Sequence, residues 1–451
     1  MSRAFSQGKL KGEERQAILQ EIQSQMQQVI TEGLRLVLEE FLEQEVTTKL
    51  ARTKRSPRQV STRARPIDWQ CAHCGSNDAN QFTRDGHYRR TLETGWGHLD
   101  RLQVPMLECQ RCQHDVVAHF AILEQYRRFW LDAAHRAIFG SGVCRSVRQL
   151  SQEWGATLAS SVGLRTINER INQLEARLTQ VHNEPISEVP AVVQFDGIWL
   201  SMRTQQDGIQ EDSRKRKRHQ KSGKRIVVLV ALGLWSDGSG KRRMLDWEVA
   251  DQEDQTAWER LVQRLWERGV KLETGLQAIV RDGTEGLEQA LDYVYGSALI
   301  QQRCIFHKLC NVSDKCIGLN REDKKQFLEQ ARAVYQAQSA PEAHERLAAF
   351  AEQWQATQPQ AVATFEHEFE QTIRYYALKG GVREVVRTTS LLERTNRELR
   401  RKFRQVGCFS SPKGAEVAVY LQLTRLNAQW AKTSWWQASY SLALDLLNSN
   451  P

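Results

Sequence analysis

The fold is decided by residues 191–203, AVVQFDGIWLSMR, and by the segments that follow them. This stretch is almost continuously apolar, which is typical of a strand buried on both faces of a sheet. Four similar segments come later in the chain, at residues 225–237, 244–251, 276–283 and 298–307. Amphipathic helical patterns separate the last three segments, at residues 255–271 and 285–296. The predicted order is therefore three strands, a helix, a strand, a helix and a strand.

That order is typical of the ribonuclease H-like fold, so we predict an α/β ribonuclease H-like catalytic core that begins at residues 190–317. Helical sequence at residues 318–386 predicts an all-α insertion, with a helix start at Ser339 and Pro341. Residues 387–451 are expected to return to the core as a helix bearing Glu393, followed by C-terminal helices that cover it.

Three acids are the candidate catalytic residues. Asp196 and Asp282 are expected at the carboxyl ends of two adjacent strands, and Glu393 opens a later helix. Three carboxylates form a hard oxygen site suited to Mg²⁺ or Mn²⁺, and two such ions catalyse phosphodiester chemistry. Each Asp-Gly pair alone is equally typical of a simple turn. Glu384 and Glu398 lie close enough in sequence to be rivals of Glu393.

A pair of CxxC motifs predicts a structural zinc site in residues 68–120. Cys71 and Cys74 form the first pair, and Cys109 and Cys112 form the second. Each such turn brings two thiolates to one ion. Strand-like sequence between the pairs favours a zinc ribbon, although the spacer is long for a zinc finger. Four unligated thiols are the alternative, and His73 or His114 could replace a cysteine.

The N-terminal region is expected to be helical. Residues 1–67 contain a helical pattern at 13–50 with one apolar stripe, which requires a partner domain or a second subunit. A basic linker follows, which suits a phosphate backbone or a disordered tether. Residues 121–189 include a pattern similar to a DNA-binding helix-turn-helix, with one helix ending at Gly155 and the next starting near Ser160 or Ser161. Two packed helices without DNA contacts fit this pattern nearly as well.

Positive charge is concentrated in three windows. Residues 49–65, 200–230 and 383–404 carry net charges of +7, +6 and +5, against +9 for all 451 residues, so the rest of the chain is net negative. This distribution favours a polyanionic partner over solvated loops, and we predict double-stranded DNA. The candidate DNA-binding residues are those of the helix after Glu393 and of a basic loop: Arg394, Arg397, Arg400, Arg401, Lys402, Arg404, Arg214, Lys215, Arg216, Lys217 and Arg218. A solvent-exposed cationic helix is the alternative for the first group.

Cys304 and His307 lie just after the fifth predicted strand. The irregular spacing to Cys310 and Cys316 disfavours a second zinc site, so a role in organising the active site is the stronger prediction. No segment has the roughly 18 uninterrupted apolar residues of a membrane span. With nine cysteines in a chain of this length, we expect a reducing cytoplasmic setting, associated with the nucleoid, rather than a secreted disulfide scaffold.

At these residues the chain resembles the Mutator-type transposases of bacterial insertion sequences. The likeness rests on Asp196-Gly197, on the RDGTEGL block around Asp282, on the Cys304-x-x-His307 signature, and above all on TTSLLERTNRELRR around Glu393. It covers roughly residues 80–430. The two CxxC pairs and the long basic loop depart from the family pattern.

The resemblance implies a DDE transposase. It assigns Asp196, Asp282 and Glu393 as the catalytic triad and implies binding of terminal inverted repeats, metal-dependent DNA cleavage and strand transfer into target DNA. A homodimer or higher homo-oligomer is expected because two element ends must be joined. The competing hypotheses are a non-catalytic DNA-binding protein derived from a transposase, and a structure-selective DNA nuclease.

Overall fold

The structure is a computed structural model. It describes residues 12–56, 63–116, 118–125, 127–143, 145–158, 162–203, 209–211, 217–219, 223–387, 390–409 and 411–448. The chain forms two compact units, one made of Met1–Gln173 with Ser439–Pro451 and one made of Leu174–Ala438. None of the described helices is long and apolar enough to cross a membrane.

The first unit begins with the long helix α1 (Gly12–Leu50). Leu38, Leu42, Val46 and Leu50 recur every four residues and are buried, so they form the stripe with which its C-terminal half packs into the unit. The N-terminal half is different, because its large apolar side chains remain exposed. The predicted helix at 13–50 is thus confirmed, with an apolar surface left over.

A three-stranded antiparallel sheet follows, made of β1 (Phe82–Thr94), β2 (Gly97–Cys109) and β3 (His114–Val116) in that order. The strand-like sequence between the CxxC pairs is therefore a long hairpin. Its inner residues, among them Phe82, Leu107 and Cys109, pack with Trp69 and the end of α1. This packing places Cys109 in a small core beside the first CxxC pair.

The remaining helices of this region are α2 (Leu131–Gly142), α3 (Val147–Leu158), α4 (Leu164–Asn172) and, in the second unit, α5 (Glu175–Asn183). The helix predicted to end at Gly155 continues to Leu158, because a single glycine costs a helix only about 1 kcal/mol. The next helix begins at Leu164 after an N-cap at Gly163. Ser160 and Ser161 lie outside the described residues.

The second unit is built on a five-stranded mixed sheet. Its strands are β4 (Val192–Arg203), β7 (Gly223–Leu234), β8 (Arg242–Ala250), β9 (Ala278–Arg281) and β10 (Ile300–Arg303), in the spatial order β10-β9-β4-β7-β8. Two three-residue strands, β5 (Ile209–Glu211) and β6 (Lys217–His219), pair within the basic loop between β4 and β7. The predicted order of strands is confirmed. In this sheet β7 pairs antiparallel with both β4 and β8. On the other side of β4, the strands β4, β9 and β10 run parallel to one another.

Helices α6 (Gln255–Glu267) and α7 (Glu285–Tyr295) connect β8 to β9 and β9 to β10. Trp258, Leu261 and Leu265 of α6 lie in one core with Phe195 of β4 and with Leu287 of α7. The odd-numbered residues of β4 therefore face these two helices. The even-numbered residues, which include Asp196, face the opposite side of the sheet.

Six helices follow β10: α8 (Ile305–Asp314), α9 (Arg321–Val334), α10 (Ala340–Trp354), α11 (Pro359–Glu366), α12 (Phe369–Thr372) and α13 (Gly380–Arg387). All of them except α13 contribute to an apolar core of their own, which includes Phe327, Phe350 and Phe365. The predicted helix start at Ser339 is confirmed, since its side chain accepts a hydrogen bond from the backbone N–H of Glu342. The core also includes Val312 of α8, so the helical cluster starts before residue 318.

The chain ends with α14 (Ser390–Val406), α15 (Pro412–Trp430) and α16 (Trp435–Asn448). Helix α15 covers the edge strand β8, where the amide of Asn427 accepts from Met244 N–H at 2.8 Å and donates to Met244 C=O at 3.0 Å. Tyr420 stacks on Trp247 of the same strand. A covered edge cannot pair with another strand, so α15 protects the sheet.

Candidate active site

Asp196 lies in the middle of β4, not at its end. The strand continues to Arg203 because β7 pairs with it over its whole length, whereas β9 pairs with it only through Gln194. Asp196 is therefore the point at which β4 passes the carboxyl end of β9. The side chain is 9% exposed. Its Oδ1 accepts from the N–H of Gly197 at 2.8 Å, and its Oδ2 accepts from Nδ2 of Asn396 on α14.

Asp282 is the first residue after β9, which pairs with β4 in parallel. The predicted adjacency of the two aspartate-bearing strands is confirmed. Its Oδ1 accepts from Thr284 N–H at 3.1 Å and from Thr284 Oγ1 at 2.6 Å, which fixes the carboxylate at the start of α7. Gly283 leaves room for Arg303, since a Cβ would lie 2.4 Å from Nη2 of Arg303 and would force that side chain to shift.

Glu393 lies in the first turn of α14, which begins three residues earlier, at Ser390. The helix crosses the face of β4 and brings Glu393 into a pocket with Asp196. The other residues that line this pocket are Gln194, Phe195, Val280, Arg281, Cys304, His307 and Leu392. Oε1 of Glu393 is buried and has no hydrogen-bond partner. Glu398 is exposed and pairs with Arg401 at 2.8 Å, so it does not share this position.

Negative charge in the site is only partly compensated. Burial raises the pKa of Asp196 above its usual range, and the charge of Asp282 raises it further. Burial also raises the pKa of Glu393, to which the charge of Asp196 contributes. His307 offsets part of this charge, since contact with Cys304 raises its pKa to about 9, with help from the two aspartates. The cluster is electrostatically suited to receive cations.

The carboxylates are not drawn tightly around one point. In the part of the chain that the structure describes, the groups of three or more His, Cys, Asp or Glu whose ligand atoms all lie within 4.8 Å are Cys71, Cys74, Cys109 and Cys112, and His73, Cys112 and His114. The ligand atoms of the three acids therefore lie farther apart than this limit, and the site is open. Cys304 and His307 belong to no such group among the described residues either, so no second zinc cluster is found there. Cys304 instead caps α8, where its sulfur accepts from His307 N–H.

The arginines of α14 flank the acids. Arg394, Arg397, Arg400, Arg401 and Arg404 are exposed, whereas Lys402 is only 4% exposed and does not reach the surface. The charge of Arg400 acts on Asp196, and the charge of Arg397 acts on Glu393, lowering the pKa of each carboxyl. Lys217 and Arg218 lie on β6, and Arg214, Lys215 and Arg216 lie outside the described residues.

Three further polar residues lie at the site: Gln194, Glu253 and Asn396. The sequence-based prediction gave no role to Gln194 or Glu253. Gln194 is 1% exposed and neither of its amide atoms has a partner. It interrupts an apolar run two residues before Asp196, on the same face of β4, which is a usable signal. Glu253 follows β8 and reaches the site only through the fold, so sequence spacing gave no signal for it. Asn396 stood out only as part of the family-like block.

The four cysteines of the first unit form a compact cluster. The sulfurs of Cys71 and Cys112 are 3.5 Å apart, and those of Cys74 and Cys109 are 3.6 Å apart. Tetrahedral zinc with bonds of about 2.3 Å requires sulfurs roughly 3.8 Å apart. Backbone N–H donation from Cys74 is the main cause that lowers the pKa of Cys71 to about 7, whereas burial raises the pKa of Cys109 and of Cys112. The cluster could hold a zinc ion.

The sequence model described as "Transposase, Mutator family" matches residues 67–433. The chain belongs to this family. It is 27% identical over 429 residues to the transposase for insertion sequence element ISRM5 of Rhizobium meliloti (strain 1021), covering 93% of this chain and 92% of that protein. It is 33% identical over 204 residues to the transposase for IS406 of Burkholderia multivorans, covering 45% and 50% of the two chains.

Among solved structures, the Drosophila P element transposase strand transfer complex aligns with 72% of this chain and 93% of its own, at 12% identity and a TM-score of 0.28. Family membership itself favours a transposase over the two competing hypotheses, a non-catalytic DNA-binding protein and a structure-selective nuclease.

Proposed function

We propose that this Mutator-family chain is a DDE transposase with a ribonuclease H-like core. It binds the terminal inverted repeats of an insertion sequence and catalyses metal-dependent DNA cleavage and strand transfer. The observation that supports this most is the pocket that Asp196 and Glu393 share. Asp196 lies beside the carboxyl end of β9, where Asp282 follows, and α14 brings Glu393 to the same place from almost 200 residues away. The pocket is also bordered by exposed arginines.

Divalent cations fit the residues of this pocket. Burial that is only partly compensated raises the pKa of Asp196 and of Glu393, and Glu393 Oε1 has no partner, so a cation would relieve both costs. When bound, two Mg²⁺ or Mn²⁺ ions would supply the charge stabilisation that in-line displacement at phosphorus requires. Asp196, Asp282 and Glu393 would be their ligands.

The protein's own groups orient these ligands. Asn396 and the Gly197 N–H fix both oxygens of Asp196, and Thr284 fixes Oδ1 of Asp282. Arg397 and Arg400 are placed to bind phosphate groups of the DNA strand next to the acids, through charge-assisted hydrogen bonds. We propose that Arg394, Arg401 and Arg404 extend this surface, and that the basic loop contributes through Lys217 and Arg218.

A matched pair of helix-start glutamates tests the catalytic proposal. Glu393→Gln should reduce strand transfer of repeat-ended DNA in Mg²⁺ by about 10² or more, because cation-assisted stabilisation supplies several kcal/mol. DNA binding should persist, and Asp196→Ala should behave in the same way. Glu322, in the first turn of α9, is the control, and Glu322→Gln should retain activity. Full activity of Glu393→Gln or of Asp196→Ala would refute the triad.

We propose that the cysteine cluster is a structural zinc site in a zinc ribbon. The long β1–β2 hairpin carries Cys109 at its end, and the turn around Cys71 and Cys74 packs against it. The adjacent rings of His73 and His114 stack with centroids 3.7 Å apart, next to Cys112. All four sulfurs lie within 4.8 Å of one another, so neither histidine is needed as a replacement ligand.

We propose that α1 joins two copies of the chain. Leu19, Ile22, Met26 and Val29 follow the 3,4 spacing of a coiled-coil seam and are 46–72% exposed. Between residues 16 and 30 the one charged residue is Glu21, and the rest of the polar surface is mostly glutamine. Such a surface suits neither nucleic acid nor a membrane, both of which favour basic residues, so we commit to a second copy of α1.

Analytical ultracentrifugation tests this assembly. Met26→Glu places a charge in the seam and should shift the protein toward monomer. Gln20→Glu adds the same charge outside the seam and should leave the oligomer intact. A wild-type monomer at all concentrations, or an unchanged oligomer in Met26→Glu, would contradict the proposal.

A further inference from the structure

Glu253 lies in the turn between β8 and α6, directly before the helix N-cap Asp254. Its carboxylate packs against the backbone next to Asp196. A Cβ built on Gly197 would lie 3.1 Å from Oε2 of Glu253 and 3.3 Å from Oε1. Because Gly197 has no side chain, the Glu253 carboxylate can lie this close to the β4 backbone, whereas a Cβ there would displace it by a few tenths of an ångström.

The negative charge of Glu253 has no cationic partner among the described residues, and the side chain of Trp258 is the one nearby group that lowers its pKa. Oε1 is buried and has no hydrogen-bond partner. No described Lys, Arg or His side chain lies within 4.0 Å of it. Glu248, on the preceding strand, shows how the same unit treats a structural acid, since Arg260 and Arg264 each bind its carboxylate at 2.7 Å. An acid left unpaired beside two others is costly unless a cation joins them.

Buried amides near the carboxylates independently indicate a missing ligand. Gln194, 1% exposed, lines the pocket of Asp196 and Glu393, and neither its oxygen nor its nitrogen has a partner. Asn396 is fully buried, and its Oδ1 is also unpaired, although its nitrogen is bound to Asp196. Buried polar atoms of folded proteins are nearly always paired, so unpaired ones grouped at one site indicate a bound ion or its water.

We propose that Glu253 is a fourth carboxylate ligand of the divalent-cation site formed by Asp196 and Asp282. It closes the side of the site that faces α6, opposite Glu393. This inference rests on the proposed function, because it concerns the same cations. Burial raises the pKa of Glu253 to about 7, and the charges of Asp282 and Asp196 contribute. Cation binding would keep the carboxylate ionised at neutral pH.

Mn²⁺ binding to the full-length protein without DNA provides the test. Glu253→Gln keeps the size of the side chain and removes the charge. Isothermal titration should show a Mn²⁺ affinity lower by about tenfold or more, the loss typical when a group that supports a metal site is removed. Glu259 is the matched control, since it is partly exposed on α6 and accepts a hydrogen bond from Gln255 at 2.6 Å. Glu259→Gln should bind Mn²⁺ like the wild type.

Thermal unfolding separates a ligand from a structural residue. In EDTA, Glu253→Gln should melt at or above the wild-type temperature, because it removes an unpaired buried charge. With Mn²⁺ added, its melting temperature should rise less than that of the wild type. Equal Mn²⁺ affinity in Glu253→Gln and wild type would overturn the inference, and so would a loss of stability that is the same with and without Mn²⁺.

The same titration distinguishes this inference from the proposed function. If Asp196→Ala loses Mn²⁺ binding and Glu253→Gln does not, the role of Glu253 is refuted and the triad stands. If the wild type itself binds no Mn²⁺, both are refuted. In strand-transfer assays, Glu253→Gln should need more Mn²⁺ for half-maximal activity and should recover when Mn²⁺ is raised, unlike Asp196→Ala.

Discussion

The hydrogen bond between Asn396 and Asp196 should couple α14 to β4. Asn396 is fully buried, and its amide nitrogen donates to Oδ2 of an aspartate that is only 9% exposed. A hydrogen bond to a charged group contributes about 1.5–3 kcal/mol, and a buried charged acceptor left unpaired costs as much or more. Asn396→Ala alone should therefore destabilise this unit by about 2–4 kcal/mol in the absence of divalent cations.

A double-mutant cycle isolates this interaction. In the Asp196→Ala background, Asn396 has lost its acceptor, so Asn396→Ala should cost about 1.5–3 kcal/mol less than it costs in the wild type. Asn427 is the matched control, because it makes two hydrogen bonds of its own to Met244 on β8. Asn427→Ala and Asp196→Ala should be additive within about 0.5 kcal/mol, since β8 lies two strands away from β4.

Hydrogen exchange is the appropriate assay, because the chain has two units and need not unfold in one step. Amides of β4 and α14, followed by mass spectrometry in urea and EDTA, report the free energy of opening this unit. The reasoning fails if Asn396→Ala and Asp196→Ala are additive. It also fails if the Asn427 pair shows equal coupling, since the effect would then be general to the unit.

Three further outcomes follow from the structure. Cys112→Ser removes one of four clustered sulfurs, and elemental analysis should show the loss of about one zinc ion per chain. Arg397→Ala should reduce the salt dependence of DNA binding by about one counterion, measured by fluorescence anisotropy, whereas Arg321→Ala on α9 should not. In metal-free buffer, stability should fall as pH rises from about 4.5 to about 7, because folded Glu253 holds a proton that the unfolded chain releases. After allowance for solvent screening this amounts to roughly 1–2 kcal/mol, and urea titrations of Glu253→Gln should show a flatter profile.

The sequence carried enough information to predict the strand order and the adjacency of the aspartates. Continuous apolar runs at β4 and β7 and the amphipathic α6 and α7 are local patterns, and each one predicts its element. The end of a strand depends on its neighbours instead. Asp196 was expected at a strand end because an Asp-Gly pair usually marks a turn, but β7 keeps β4 extended as far as Arg203.

The remaining features depend on contacts between distant segments. Lys402 belongs to an arginine-rich helix, but Leu399, Lys402 and Phe403 fall on its buried side. No composition rule distinguishes that lysine from the exposed arginines around it. Glu253 reaches Gly197 across more than fifty residues, and only the sheet brings them together. Helical periodicity and charge counts describe one element at a time, so they give no information about contacts between residues that are distant in sequence.

Two buried aspartates of the second unit, Asp246 and Asp196, differ in how many cationic partners they have, and this difference distinguishes a structural acid from a functional one. Asp246 on β8 is 1% exposed, yet Arg268 and Arg264 bind it at 3.0 and 3.2 Å. Burial alone would raise its pKa, but the hydrogen bond from His182 and the charge of Arg264 hold the pKa below its usual range. Asp196 is nearly as buried, and its pKa is raised instead. The same unit therefore neutralises Asp246 with its own side chains and leaves Asp196 short of positive charge. At Asp196 a bound ligand must supply that charge.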